Sequence, residues 1–219
     1  VIPVLEYDED LCLRVNEEDL LLDNCDILLI GGPVSNRYGG KLSGYSYKSI
    51  SLENKEIVIP VFKSGKTELR WGFFCGDENY GFFEGDRKLA NRWEAGEIVT
   101  RPLYGVIDNT SNAKPKFFRT NPDNFVEEDA LLVTKIFNPL LPEKAVVIIA
   151  SGFGYSISAF AKNLELNLGQ ISALIGKSSF FQLYLPVYLK HEKYASGYSY
   201  TNAYINWKEA KKFEITNSC

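Results

Sequence analysis

Two stretches of the chain share one pattern: a short unbroken apolar run, a glycine turn, then residues with helical spacing. The first runs Asp26-Ile27-Leu28-Leu29-Ile30 into Gly31-Gly32-Pro33-Val34-Ser35-Asn36. The second runs Ala145-Val146-Val147-Ile148-Ile149-Ala150 into Ser151-Gly152-Phe153-Gly154-Tyr155-Ser156. Apolar runs without polar alternation read as strands covered on both faces, as in a parallel sheet. After the second turn, Ile157, Phe160, Ala161 and Leu164 follow the i, i+3, i+4, i+7 spacing of a helix, and Asn167 and Gly169 predict its end. Residues 2–7 predict a strand and 16–22 a short helix leading into Asp26, which makes a β–α–β opening. Residues 129–136 predict another strand. The link through Asn138-Pro139 and Leu141-Pro142 is too short for a crossover, so this strand and the one at Ala145 are expected to form an antiparallel or edge pair.

Residues 41–125 differ in character. They are rich in Gly, Asn and aromatic residues, with short β-like runs at 56–62, 68–74, 80–83 and 103–107. This segment reads as a β-rich insertion within a single domain spanning 1–219. Further on, 180–189 predicts a strand, 194–204 a Tyr/Ser/Gly/Asn loop, and 203–207 a last strand. The expected fold class is α/β: a Rossmann-like, mostly parallel sheet with a β-rich middle insertion.

Composition narrows the functional classes. With 219 residues, 45% apolar and 14% aromatic, the chain buries a sizeable core and is not a disordered protein. The net charge of −4 argues against general nucleic-acid binding. The longest apolar run is too short to span a bilayer. Cys12, Cys25, Cys75 and Cys219 form no C-x-x-C pair, and His191 is the one histidine, so no Cys/His metal site is expected. Reduced thiols are the expectation, which favours a cytoplasmic over an extracellular setting. The chain begins at Val1 and contains no Met, which fits a removed leader or a piece of a longer protein. His191 lies in a hydrophilic stretch read as a turn after a strand. The basic residues Arg87, Lys88, Arg92 and Arg101 alternate with acids as on a solvated face.

The candidate chemistry sits at the two turns. Glycines after a parallel strand let the backbone approach a ligand, and the following helix offers free N–H groups that suit an anion. Gly31, Gly32, Ser35 and Asn36 in the first turn, with Gly152, Gly154 and Ser156 in the second, are the expected ligand-binding residues; Ser158 is a further capping hydroxyl. If the two strands are neighbours, both turns face one crevice. Neither turn is a Walker A motif or a complete G-x-G-x-x-G, and each also reads as a plain strand-to-helix turn. Asp10, Asp26, Asp108 and Asp129 are the acids near strand ends. Asp26 precedes its strand and so lies at the wrong end for the crevice, and Asp108-Asn109 also reads as a turn. Nothing in the spacing selects a catalytic residue, and the sequence leaves the cofactor unknown. Trp71 to Phe74 and Tyr80 to Phe83 read as a hairpin whose aromatics pack onto the sheet, or as a flap that stacks on a ligand.

The segments from Ile30 to Asn36, from Asp129 through Asn138-Pro139, and from Val147 to Gly152 resemble a loosely defined prokaryotic family with a strand-IGGPxxN turn. The family is itself similar to modules of archaeal surface-layer proteins, and its function is obscure. The resemblance implies a Rossmann-like fold. It departs at Tyr155-Ser156, where the family often has Gly-Thr. The expected function is binding of a nucleotide-like or other anionic small ligand, with carboxylate-assisted hydrolysis as the plausible chemistry. The alternative is a structural module that self-assembles in a surface layer or other array. The two differ in one observable: a binding domain leaves a concave polar pocket between the turns, whereas an assembly module fills that space with side chains.

Overall fold

A computed structural model describes residues 26–33, 35–52, 55–65, 67–74, 103–109, 116–117, 127–139, 141, 143–152, 154–162, 164–194 and 197–215. In chain order these form β1 (Ile27–Ile30), α1 (Arg37–Leu42), β2 (Tyr45–Leu52), β3 (Lys55–Phe62), β4 (Leu69–Phe74), β5 (Leu103–Asp108) and β6 (Lys116–Phe117). There follow β7 (Glu128–Phe137), β8 (Ala145–Ser151), α2 (Gly154–Lys162), α3 (Leu164–Ile175), β9 (Phe181–Tyr194), β10 (Gly197–Ile205) and β11 (Lys211–Glu214).

The central sheet has the order β1-β8-β7-β9-β10, with β11 pairing the first half of β9. β1 and β8 run parallel, in register Ile27 to Val146 through Ile30 to Ile149. The β7–β8, β7–β9, β9–β10 and β9–β11 pairs are all antiparallel. Two small antiparallel sheets accompany it, β2–β3 and β4–β5–β6. The expectation of an α/β, Rossmann-like, mostly parallel sheet is therefore corrected: the protein is mostly β, with a mixed, curled sheet and three helices among the described residues.

The physical reason lies in how the sheet is covered. On one face, Leu131, Val133, Leu183 and Leu185 pack with Phe160 and Ile157 of α2 and with Ile171, Leu174 and Ile175 of α3. On the other, Ala130, Leu132, Ala150 and Tyr184 pack with Tyr45 of β2, Leu69 and Trp71 of β4 and Val106 of β5. Near β1, Leu29, Val146 and Ile148 meet Tyr38 and Leu42 of α1. The interior strands are thus buried on both faces although most are antiparallel. The unbroken apolar runs report that two-sided burial, not strand direction.

Three local expectations also change. The helix does not end at Asn167 or Gly169; α3 runs through both to Ile175, because its inward residues are anchored on the sheet while Gly169 is exposed, and the N–H of Gly176 then closes on the Ser172 carbonyl at 2.9 Å. Residues 194–204 are no loop: β10 spans most of them, paired to β9 with a register shift between Tyr200 and Asn202. His191 lies within β9 and not in a turn. The link after β7 does join an antiparallel pair, as its length requires. The strand expected at 2–7, the helix at 16–22, the run at 80–83, all four cysteines and Asp10 lie outside the described residues.

One side chain ties the central sheet to the small sheets. Gln182, on β9 and buried, accepts from the Leu69 N–H at 2.8 Å and donates to the Leu69 carbonyl at 3.0 Å and to Thr134 Oγ1 at 3.2 Å. Its carboxamide does for the start of β4 what a neighbouring peptide group would do. Nearby, the Tyr45 hydroxyl donates to the Trp71 carbonyl at 2.6 Å. A Gln182→Leu variant leaves both Leu69 backbone groups buried without partners, each costing about 1–3 kcal/mol. Denaturant unfolding is expected to show a loss of about 3 kcal/mol, and an unchanged midpoint would contradict the tie.

Candidate functional site

The two glycine turns do stand side by side. β1 and β8 are parallel neighbours, Gly31 N–H donates to the Ile149 carbonyl at 2.9 Å, and a Cβ placed on Gly32 would lie 3.7 Å from the Ser151 carbonyl. What their groups are doing is another matter. In the first turn, Gly31 has φ +112°, a backbone conformation that L side chains avoid, and a Cβ there would meet Ser35 Oγ at 2.6 Å. The Gly32 carbonyl accepts from the N–H groups of Ser35 (3.0 Å) and Asn36 (2.8 Å) and from Ser35 Oγ (3.3 Å). Asn36 caps α1, its Oδ1 accepting from Gly39 N–H at 2.8 Å while its Nδ2 donates to the Ile30 carbonyl at 3.2 Å. The polar groups of Ser35 and Asn36 are thus directed into their own turn.

Tyr47 of β2 closes this turn from outside. Its hydroxyl donates to the Pro33 carbonyl at 2.7 Å and fills the space where a Cβ of Gly40 would lie. Burial pushes the Tyr47 phenol well above its ordinary range, with Arg37 opposing the shift. Beneath the turn, among Tyr45, Thr67, Trp71, Thr134 and Gln182, a cavity of about 20 Å³ remains, room for about one water. Side chains fill this space.

The second turn is held by a carboxylate. Asp129, 2% exposed, accepts from Gly152 N–H at 3.0 Å and from Ala130 N–H at 2.7 Å through the same oxygen. Asp129 is the second residue of β7, and because β7 is antiparallel to β8 its first residues lie at the carboxyl end of β8. A parallel reading of the sheet hides that placement. An acid here works against an anion at the same turn. Gly154, the first residue of α2, is exposed, and a Cβ on it would meet nothing within 4 Å. Asp26, exposed, accepts from Ala145 N–H at 2.8 Å, and Asp108 ends β5. The nucleotide-binding expectation falls with the Rossmann-like frame it rested on: no observation among the described residues supports it.

Ser156 does not join the crevice at all. It faces a different hollow, a cleft of about 210 Å³ bounded by α2, the start of α3, β9 and β10. Ser156 and Phe160 lie one helical turn apart on α2, and Leu166 and Asn167 come from α3. Val187 comes from β9, Ala203 and Ile205 from β10, and Trp207 from the turn that follows. That turn is fixed by Asn206, whose N–H donates to the Pro186 carbonyl at 2.9 Å and whose side chain accepts from Lys208 N–H at 3.2 Å and donates to Glu209 at 3.0 Å. Trp207 is thereby placed against the cleft. The Ser156 hydroxyl is fully buried and finds no hydrogen-bond partner in the protein.

Sequence reasoning singled out Ser156 but missed the cleft. Asn167 reads as a helix stop and Trp207 as the end of a strand, and no local pattern joins them. The available signal was that residues beyond Gly169, at Ile171, Leu174 and Ile175, keep the helical spacing and carry Asn167 inside a helix. Among the described residues, no group of three or more acidic, histidine or cysteine side chains is placed to hold a metal ion, and no helix is long and apolar enough to cross a membrane.

Replacing Asp129 by Ala removes the acceptor of two backbone N–H groups at the second turn. It is expected to cost about 2–4 kcal/mol in denaturant unfolding, whereas Asp26→Ala, at an exposed site, is expected to cost under about 1 kcal/mol. Equal effects would refute the assigned role. No family model, curated protein or solved structure matches the chain.

Proposed function

We propose that this domain binds a small molecule in the cleft between α2, α3 and β10, and that its two glycine turns serve as architecture. The observation that carries the reading is the cleft itself, the larger of the two hollows described, with apolar walls from Phe160, Val187 and Ile205 and the half-buried Asn167 among its lining. A cleft with apolar walls and a few polar groups is the usual form of a ligand site. The second glycine turn contributes indirectly, by launching α2 at the height that brings Ser156 and Phe160 to the cleft. At the turns themselves, the polar groups of Ser35, Asn36 and Gly152 are engaged within the protein.

A second reading, self-assembly, is favoured by the outer edge of β1. Among the described residues this edge has no strand partner, and Leu28 and Ile30 are 43% and 56% exposed. An apolar edge without a Lys, a Pro or a bulge is open to pairing with another chain. On this reading sedimentation velocity shows mass rising with protein concentration, and Ile30→Lys removes the rise. A single monomeric species over the whole range would dismiss it.

The small-molecule reading is tested by ligand-observed NMR against a library of neutral and charged fragments. Leu166 is 78% exposed at the lip of the cleft, so Leu166→Trp narrows the mouth without touching the core. Fragment signals are expected to disappear in Leu166→Trp while its melting temperature stays within about 2 °C of the parent, as is usual for surface substitutions. Ser156→Ala is expected to leave stability unchanged or raise it by up to about 1 kcal/mol, since it removes an unsatisfied polar group. Signals that survive in Leu166→Trp would contradict the reading, and a strongly destabilised Ser156→Ala would contradict the unpaired state of that hydroxyl.

A further inference from the structure

We infer that the outer face of α3 docks a second copy of this chain, the two α3 helices lying antiparallel about a twofold axis level with Ile171. The inference is independent of the cleft reading, and the surface is distinct from the β1 edge.

Both sides of this helix are apolar. Ile171, Leu174 and Ile175 pack on the central sheet. On the opposite side Leu166 is 78% exposed, and Gly169, Ala173 and Gly176 follow it at helical spacing, all exposed. Leu168, 52% exposed, flanks this strip. Every residue from Glu165 to Lys177 is described, and these two ends carry the only charges in the segment. A helix that faces water ordinarily carries charged and polar residues along its outer side. An outer side without them, over three turns, is suited to burial.

Gly169 adds an independent indication. Glycine in a helix interior is destabilising relative to alanine, and a Cβ placed here would meet nothing within 4 Å. No contact within the described chain therefore calls for glycine at this position. The close approach of another helix does, because a residue without a Cβ lets two backbones come nearer.

The charges and side-chain sizes identify the occupant. An antiparallel pair about this axis brings Glu165 to the partner's Lys177 and Leu166 to the partner's Gly176. It also brings Gly169 to the partner's Ala173 and Gln170 to the partner's Ser172. Acid meets base, a large side chain meets a glycine with open space beside it, small meets small, and amide meets hydroxyl. A twofold interface is isologous, so each match occurs twice. A parallel pair would instead set Glu165 against the partner's Glu165 and Lys177 against the partner's Lys177. Among the described residues neither Glu165 nor Lys177 is engaged in an ion pair. The face is thus its own complement, which selects a second copy over an unrelated partner. A 12-residue helix is about 18 Å long. One such pair covers less than the ~800 Å² per partner of a standard interface, so the dimer is weak and reversible.

The experiment is sedimentation equilibrium on the full chain, from about 5 to 500 µM, the range in which a weak dimer populates. The parent is compared with Ala173→Lys, Glu165→Lys, Lys177→Glu, an equimolar mixture of the last two, and Ile30→Lys. All five positions are exposed, and melting temperatures within about 2 °C of the parent establish that the variants are folded. The parent's mean mass is expected to rise toward that of a dimer of the 24.7 kDa chain. Ala173→Lys is expected to abolish the rise and Ile30→Lys to leave it unchanged. Glu165→Lys and Lys177→Glu, each alone, are expected to weaken association about fivefold or more, since each sets like charges together twice. Mixing these two variants restores opposite charges at both contacts, and the mixture is expected to associate as the parent does. That rescue arises only across an interface between copies. A parent that stays monomeric throughout, or a dimer that survives Ala173→Lys, would overturn the inference. A dimer lost in Ile30→Lys would assign association to the β1 edge instead, and a mixture no better than its components would overturn the antiparallel register.

Discussion

The architecture depends on how the open face of an antiparallel sheet is covered by other strands without leaving backbone groups dry. Gln182 is the point where this is solved. Its carboxamide stands out from β9 and meets the N–H and carbonyl of Leu69, so β4 begins with its polar backbone satisfied although it does not pair with the central sheet. The same amide reaches Thr134 on β7, which fixes its orientation. Once β4 is held, Trp71 and Leu69 lie over Leu132 and Tyr184, and Tyr45 reaches the Trp71 carbonyl. A buried polar network that is fully satisfied specifies one arrangement in this way, because every alternative leaves its members unpaired.

Covering that face with strands leaves the opposite face to the helices. The connection from β8 to β9 passes over β7, and its two helices lie on Leu131, Val133, Leu183 and Leu185. The cleft follows from this path. α2 crosses from β8 over β7 to β10 and α3 lies toward β11, and a hollow remains between the two helices, β10 and the turn at Trp207. The glycine turns stand at another place in the fold and serve another purpose. Each reverses the chain tightly and is locked by a side chain: Asn36 from within the first turn, and Asp129 of β7 at the second.

Much of this was legible in the sequence, and the rest was hidden for definite reasons. The runs at Ile27, Asp129, Ala145 and Phe181 are strands, and the short link through Asn138-Pro139 makes an antiparallel pair. The adjacency of the two turns was also within reach, since both follow apolar strands of the same kind. Strand direction was not, because an antiparallel sheet covered by helices on one side and strands on the other needs the same apolar residues as a parallel one. Composition misled at 194–204: Tyr, Ser, Gly and Asn suggest a loop, yet Tyr198 and Tyr200 alternate with Ser199 as strand residues do. Ser156 was selected for its place after a glycine turn, and the structure buries it beside a cleft that no local pattern announces. That cleft draws on two helices, two strands and a turn, a long-range assembly that a reading of neighbouring residues does not reach.

On the proposed reading, ligand chemistry belongs to the helix-face cleft and not to the glycine turns. Amide shift mapping by ¹H–¹⁵N NMR tests this, with indole and the fragments that give signals titrated separately into the labelled protein. Perturbations are expected at Phe160, Asn167, Ala203, Ile205 and Trp207, with the amides of Gly31, Gly32, Asn36 and Gly152 unmoved. Shifts centred on the two turns, with the cleft residues silent, would contradict it.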